Sequence, residues 1–201
     1  ELGIIPVMLD DQATKLGAVE TYADAQRCAA LFREHAQRID GVLVSLPNFG
    51  DEKAVVDTLR GSGLDVPLLV QAEPDDLDGL DVARRRDSFC GKISVCNNLQ
   101  QYGYPFSLTR EHAVGLADPE FREDLEWFTA VCRVVRGLRR ARIGAIGARP
   151  AAFNTVRFSE KILERGGISV VTADLSEILG EAPRLPADDP LVAEKAASIT
   201  G

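Results

Sequence analysis

The sequence has no apolar run near the roughly 18 residues that a membrane span needs, and no basic stretch ahead of an apolar one that would mark a secretory leader. It has two histidines, His35 and His112, too far apart for an HxH or HExxH metal pair. It has no Gly-x-Ser-x-Gly elbow and no three-glycine dinucleotide loop, which argues against a serine hydrolase and a nucleotide-dependent oxidoreductase. Basic residues are in the minority: 23 against 31 acids give a net charge of −8, a surface that repels nucleic-acid backbones. The four cysteines, Cys28, Cys90, Cys96 and Cys132, form no CxxC pair and read as reduced thiols of a cytoplasmic protein.

What is present is an alternation of short apolar runs and longer amphipathic stretches. Ile4–Leu9, Gly41–Leu46, Val66–Gln71 and Pro105–Thr109 read as strands, most of them continuously apolar, as in a parallel sheet covered on both faces. Thr21 caps a helix carrying Ala25, Cys28, Ala29, Leu31 and Phe32 at helical spacing, and Asp51 caps another with Val55, Val56 and Leu59 inward. Ala72–Arg86 reads as a loop and Ser88–Gln101 as a helix. Asp118-Pro119 opens the strongest helix, with acids at its start and arginines at its end. Ile143–Gly147, a helix over Ala151–Arg165 and Ile168–Thr172 form a further βα unit, followed by helices at Leu175–Leu179 and Pro190–Ile199. The fold class is α/β: a Rossmann-like parallel-sheet first domain over 1–141, followed by the start of a second α/β domain over 142–201. Leu2-Gly3 ahead of an apolar run reads as a helix end entering a strand, so the first domain is expected to lack its initial βα unit and the second to be cut short.

Three stretches carry polar chemistry. Asn48 and Asp51, after the second strand, make a turn and a helix cap. Asn97, Asn98, Gln100, Gln101 and Tyr102 crowd the end of a helix; amides donate and accept together, which suits a neutral polyol, although the same pattern describes a helix ending in polar residues with Gly103 as its stop. Arg149, Phe153 and Asn154 follow Gly144-Ala145-Ile146-Gly147 where a strand passes toward a helix, a position that favours an anion or a sugar hydroxyl. The alternative there is a tight turn at Gly147 with Arg149 paired to a nearby acid.

The segments Pro47-Asn48-Phe49-Gly50-Asp51-Glu52, Arg86-Asp87-Ser88-Phe89-Cys90-Gly91-Lys92-Ile93-Ser94-Val95-Cys96-Asn97-Asn98 and Gly144-Ala145-Ile146-Gly147-Ala148-Arg149-Pro150-Ala151-Ala152-Phe153-Asn154-Thr155 resemble, in order and spacing, those of the L-fucose isomerase/L-arabinose isomerase family. The resemblance implies a metal-dependent aldose–ketose isomerase working through an enediol, with manganese or a similar ion, an aldose or ketose substrate and a trimeric or hexameric assembly. It implies that the metal ligands and the proton-moving acids lie outside this region, so no catalytic or metal residue is assigned and this stretch alone is inactive. It implies substrate contacts from Asn98, Gln101 and Tyr102, reaching a sugar in a neighbouring subunit, and from Arg149 and Phe153. The competing reading is a non-catalytic sugar-binding or regulatory α/β module.

Overall fold

Val42–Leu46 (β1) alternates buried Val42, Val44 and Leu46 with outward Leu43 and Ser45, while every residue of Leu68–Ala72 (β2) is buried. That contrast places β2 at the centre of a sheet and β1 at its edge. In the computed structural model, which describes residues 2–186 and 188–200, the order is β1-β2-β3, with Ser107–Leu108 as β3 and all pairings parallel. The register runs from Val42 opposite Leu68 to Leu46 opposite Ala72, and Val70 lies opposite Leu108. Among the described residues, strands and helices alternate as an α/β protein of the expected Rossmann-like kind.

Glu52–Ser62 (α2) and Ser88–Gln101 (α3) cover one face of this sheet. Val56, Leu59, Val95 and Leu99 meet Val42, Val44, Leu46, Leu68, Val70 and Ala72 there. On the other face Leu69 packs against Phe128 and Cys132 of Pro119–Leu138 (α4). On that second face α4 also reaches Gly41, just ahead of β1, but Leu43 of β1 remains 40% exposed. The expectation of strands covered on both faces therefore holds for β2 and not for β1. Tyr22–Glu34 (α1) packs on α2, where Gly61 allows the approach of Ala29. Local chemistry sets the helix ends. Thr21 accepts the Asp24 N–H, and Asp51 accepts those of Lys53 and Ala54. Asp118 turns its carboxylate back to the Gly115 N–H at 2.8 Å as α4 begins.

The chain divides into two compact units, Glu1–Arg136 and Gly137–Gly201. In the second, Arg142–Ile146 (β4) pairs in parallel with Ser169–Ala173 (β5), with Glu160–Arg165 (α5) between them. Leu175–Glu181 (α6) and Pro190–Thr200 (α7) follow. None of its described side chains is buried. The described residues of this unit form secondary structure without a buried core of their own.

Three further expectations differ from the structure. Ile4–Leu9 forms no strand; Ile5 is 76% exposed and only Leu9 of the run is buried. An apolar run becomes a strand only by pairing, and Pro6 brings no N–H to a ladder. Pro105–Thr109 shrinks to two paired residues because Thr109 turns away to meet Lys92. The helix expected over Ala151–Arg165 is six residues long, Glu160–Arg165, preceded by turns at Pro150–Phe153 and Asn154–Arg157. The opening Glu1 and the closing Gly201 lie outside the described residues.

Candidate functional site

Because β2 and β3 are parallel, α3 must run back against them. Fourteen residues give it a length of about 21 Å, enough to traverse a five-residue strand. Ser88 Oγ donates to the Glu73 carbonyl just past β2, which fixes the start of α3 at the carboxyl edge of the sheet. Its end, Gln101 and Tyr102, therefore lies toward the amino edge, where β3 begins. Open α/β sheets place ligands at the carboxyl edge. The amide cluster belongs instead to the outer helical surface.

There the side chains are placed as follows. Asn98 is half-buried and its Nδ2 donates to the Glu52 carbonyl at 3.0 Å, bracing α3 against the first turn of α2. Gln101 is exposed, with Nε2 donating to Asn97 Oδ1 at 3.2 Å one turn back. Tyr102, 49% exposed, lies under the Arg60 guanidinium, 5.3 Å from its ring centroid. Gly103, at φ 75°, ends the helix. A second cation, Lys53, pairs with Asp57 on α2, a hydrogen bond that holds the Lys53 ammonium above its usual range. The result is an exposed amide beside an aromatic ring and a guanidinium.

Arg149 and Phe153 belong to the other unit. Beyond β4 and β5 a hollow of about 220 Å³ is lined by Ile146, Gly147, Arg149, Phe158 and Thr172, with Phe153 not among its walls. Arg149 Nη2 pairs with Glu160 Oε1 at 2.8 Å, and its guanidinium covers the Phe158 ring at 3.9 Å. Gly147, at φ 75°, makes the turn. The tight turn and the paired arginine are both present at this stretch. The helix N-terminus expected to favour an anion beside Arg149 does not exist, since α5 begins only at Glu160. Phe153 is 58% exposed.

Lys92, a charged residue that the sequence alone does not single out, is 3% exposed. Its Nζ donates to Thr109 Oγ1 (2.7 Å) and to the carbonyls of His112 (2.9 Å) and Glu111 (3.4 Å). Burial pushes this ammonium below the usual lysine range, while Cys96 and Asp124 act in the opposite sense. The signal was available: Ser88, Lys92, Val95 and Leu99 fall at helical spacing on one stripe, and all four are buried. Gln71 was also missed. This fully buried amide on β2 accepts from Ser45 Oγ (2.7 Å) and donates to the Val114 carbonyl (2.6 Å).

A divalent ion needs several convergent oxygen or nitrogen donors. Among the described residues no group of three or more His, Cys, Asp or Glu side chains could hold one. His112 lies against the Phe89 ring, centroids 5.2 Å apart. No helix among the described residues is long and apolar enough to cross a membrane.

No curated protein matches the chain. The sequence profile of the fucose/sulfoquinovose isomerase N-terminal domain matches residues 1–139. That span takes in the whole three-stranded sheet, α3 and its amide-bearing end, and the last turn of α4. A match over most of the chain, on a parallel α/β unit of the expected kind, establishes that this chain belongs to the family of fucose/sulfoquinovose isomerase N-terminal domains.

Proposed function

We propose that this chain is the N-terminal part of a metal-dependent aldose–ketose isomerase of the enediol type, supplying a sugar-contacting wall and subunit contacts rather than the reacting groups. The observation that carries the reading is the exposed end of α3. Gln101 offers a donor and an acceptor to hydroxyls, and Tyr102 offers a ring edge and a phenol to the less polar face of a sugar. Because this surface faces away from the carboxyl edge of its own sheet, the sugar it meets is held by a neighbouring subunit of a trimer or hexamer. Manganese, the expected ion, has no fitting donor set among the described residues, so no step of proton transfer is assigned to them. Asn98 braces α3, because its Nδ2 is committed to the Glu52 carbonyl. Arg149 and Phe153 remain candidate sugar contacts of the second unit, Arg149 beside the hollow at the end of β4.

The test is Gln101→Ala in the complete enzyme. Losing one or two hydroxyl hydrogen bonds raises KM about 5- to 30-fold, on the order of 1–2 kcal/mol. The melting temperature stays at the wild-type value, because the side chain is exposed. An unchanged kcat/KM with every aldose tried removes Gln101 from the site.

A further inference from the structure

Past β3 the chain leaves the ladder at Thr109 and returns at Val114, whose N–H donates to the Ala72 carbonyl at 2.9 Å, at the end of β2. The excursion has a concave side lined by oxygens: Thr109 Oγ1 and the carbonyls of Glu111 and His112. Lys92 Nζ fills it from α3. An ammonium brings three donors and no acceptor, which matches those three oxygens. The segment is pinned at further points. Asp124 accepts the Arg110 N–H at 3.1 Å, Gln71 holds the Val114 carbonyl, Asp118 holds the Gly115 N–H, and Glu73 accepts the Leu116 N–H at 3.3 Å. Thr109, Val114 and Gly115 are buried, while Arg110, Glu111 and His112 project outward.

We infer that Lys92 serves as an internal cation that locks residues 109–116 into a fixed strap across the carboxyl edge of the first sheet. The strap occupies the place where an open α/β sheet would receive a ligand. Unit 1 then meets ligands on its outer helical surface and not at that edge. Lys92 is a positioning residue, and this role stands whether or not the sugar reading holds.

Lys92→Met keeps the length and volume of the stem and removes the donors. Amide hydrogen exchange of the full-length protein, followed peptide by peptide, reads the result. Residues 109–116 exchange at least about tenfold faster in Lys92→Met, because hydrogen bonds to a charged donor are lost. Trypsin cuts after Arg110 correspondingly sooner, while the Tyr22–Glu34 helix keeps its wild-type protection. Unchanged exchange over 109–116, or a uniform rise across the whole unit, overturns the assignment. Should the variant fail to fold, the wild-type protein decides. A Val114 amide protected as strongly as those of β2 supports the strap, and one exchanging as fast as the 77–86 loop refutes it.

Discussion

Gly91 offers the sharpest test of how the first unit is packed. It lies in the first turn of α3, and a Cβ built there would overlap the Phe49 carbonyl oxygen, with the carbonyl carbon at 2.8 Å and the Cα at 2.9 Å. An ordinary carbon–carbon contact needs about 3.5–4 Å, so Gly91→Ala must push α3 and the 47–51 turn apart by roughly 1 Å. What stands in the way is backbone, so no side chain can swing aside. The displacement strains two neighbouring connections. Asp51, two residues beyond Phe49, caps α2 through hydrogen bonds of 2.9 and 3.2 Å, and such a cap is worth about 1 kcal/mol. The Asn98–Glu52 hydrogen bond joins the same turn to α3 and contributes about another 1 kcal/mol. With overpacking itself at about 1–3 kcal/mol, the total comes to roughly 3–5 kcal/mol when both connections are lost. In a chain of this size that lowers Tm by about 6–20 °C. Gly137→Ala is the control, since its Cβ would meet nothing within 4 Å. There the gain in helix propensity is up to about 1 kcal/mol, less near a helix end. Urea and thermal unfolding followed by circular dichroism measure both. A Gly91→Ala variant within about 0.5 kcal/mol of wild type would refute the packing of α3 on the 47–51 turn.

Asp51→Ala removes the cap acceptor for the Lys53 and Ala54 N–H groups and costs about 1 kcal/mol in urea unfolding, with most of the loss restored by Asp51→Ser. Cys90 is the exposed thiol, whereas Cys28 and Cys132 are buried, so a thiol reagent at neutral pH labels Cys90 first; Cys28 modified at the same rate would contradict its packing in α1. Burial pushes the Cys28 thiol from 9.0 up to about 11. Between those values the folded state holds a proton that the unfolded state has released, so Cys28 contributes stability below pH 9 that is lost as pH rises toward 11. Cys28→Ala should flatten that part of the stability–pH curve, and an unaltered slope counts against the assignment.

The features legible in the sequence were those whose causes lie within about one helical turn. Thr21 and Asp51 cap their helices because a short polar side chain reaches N–H groups three residues on. α3 begins at Ser88 and ends at Gln101, as its pattern and Gly103 indicate, and Pro119 opens α4. The alternation of apolar runs with amphipathic stretches was enough for the parallel α/β class. Tertiary structure decided the features that need a distant partner. Ile4–Leu9 is as apolar as β1 but finds no strand to pair with. Lys92 carries a charge yet is buried, because the oxygens that compensate it come from 17–20 residues further along the chain. Arg149 gained an acid eleven residues away instead of a helix terminus. The edge toward which Gln101 and Tyr102 point followed only once β2 and β3 were known to be parallel. Helix signals are local because their hydrogen bonds span four residues, whereas pairing, burial and the facing of a surface depend on which distant segments fold against one another.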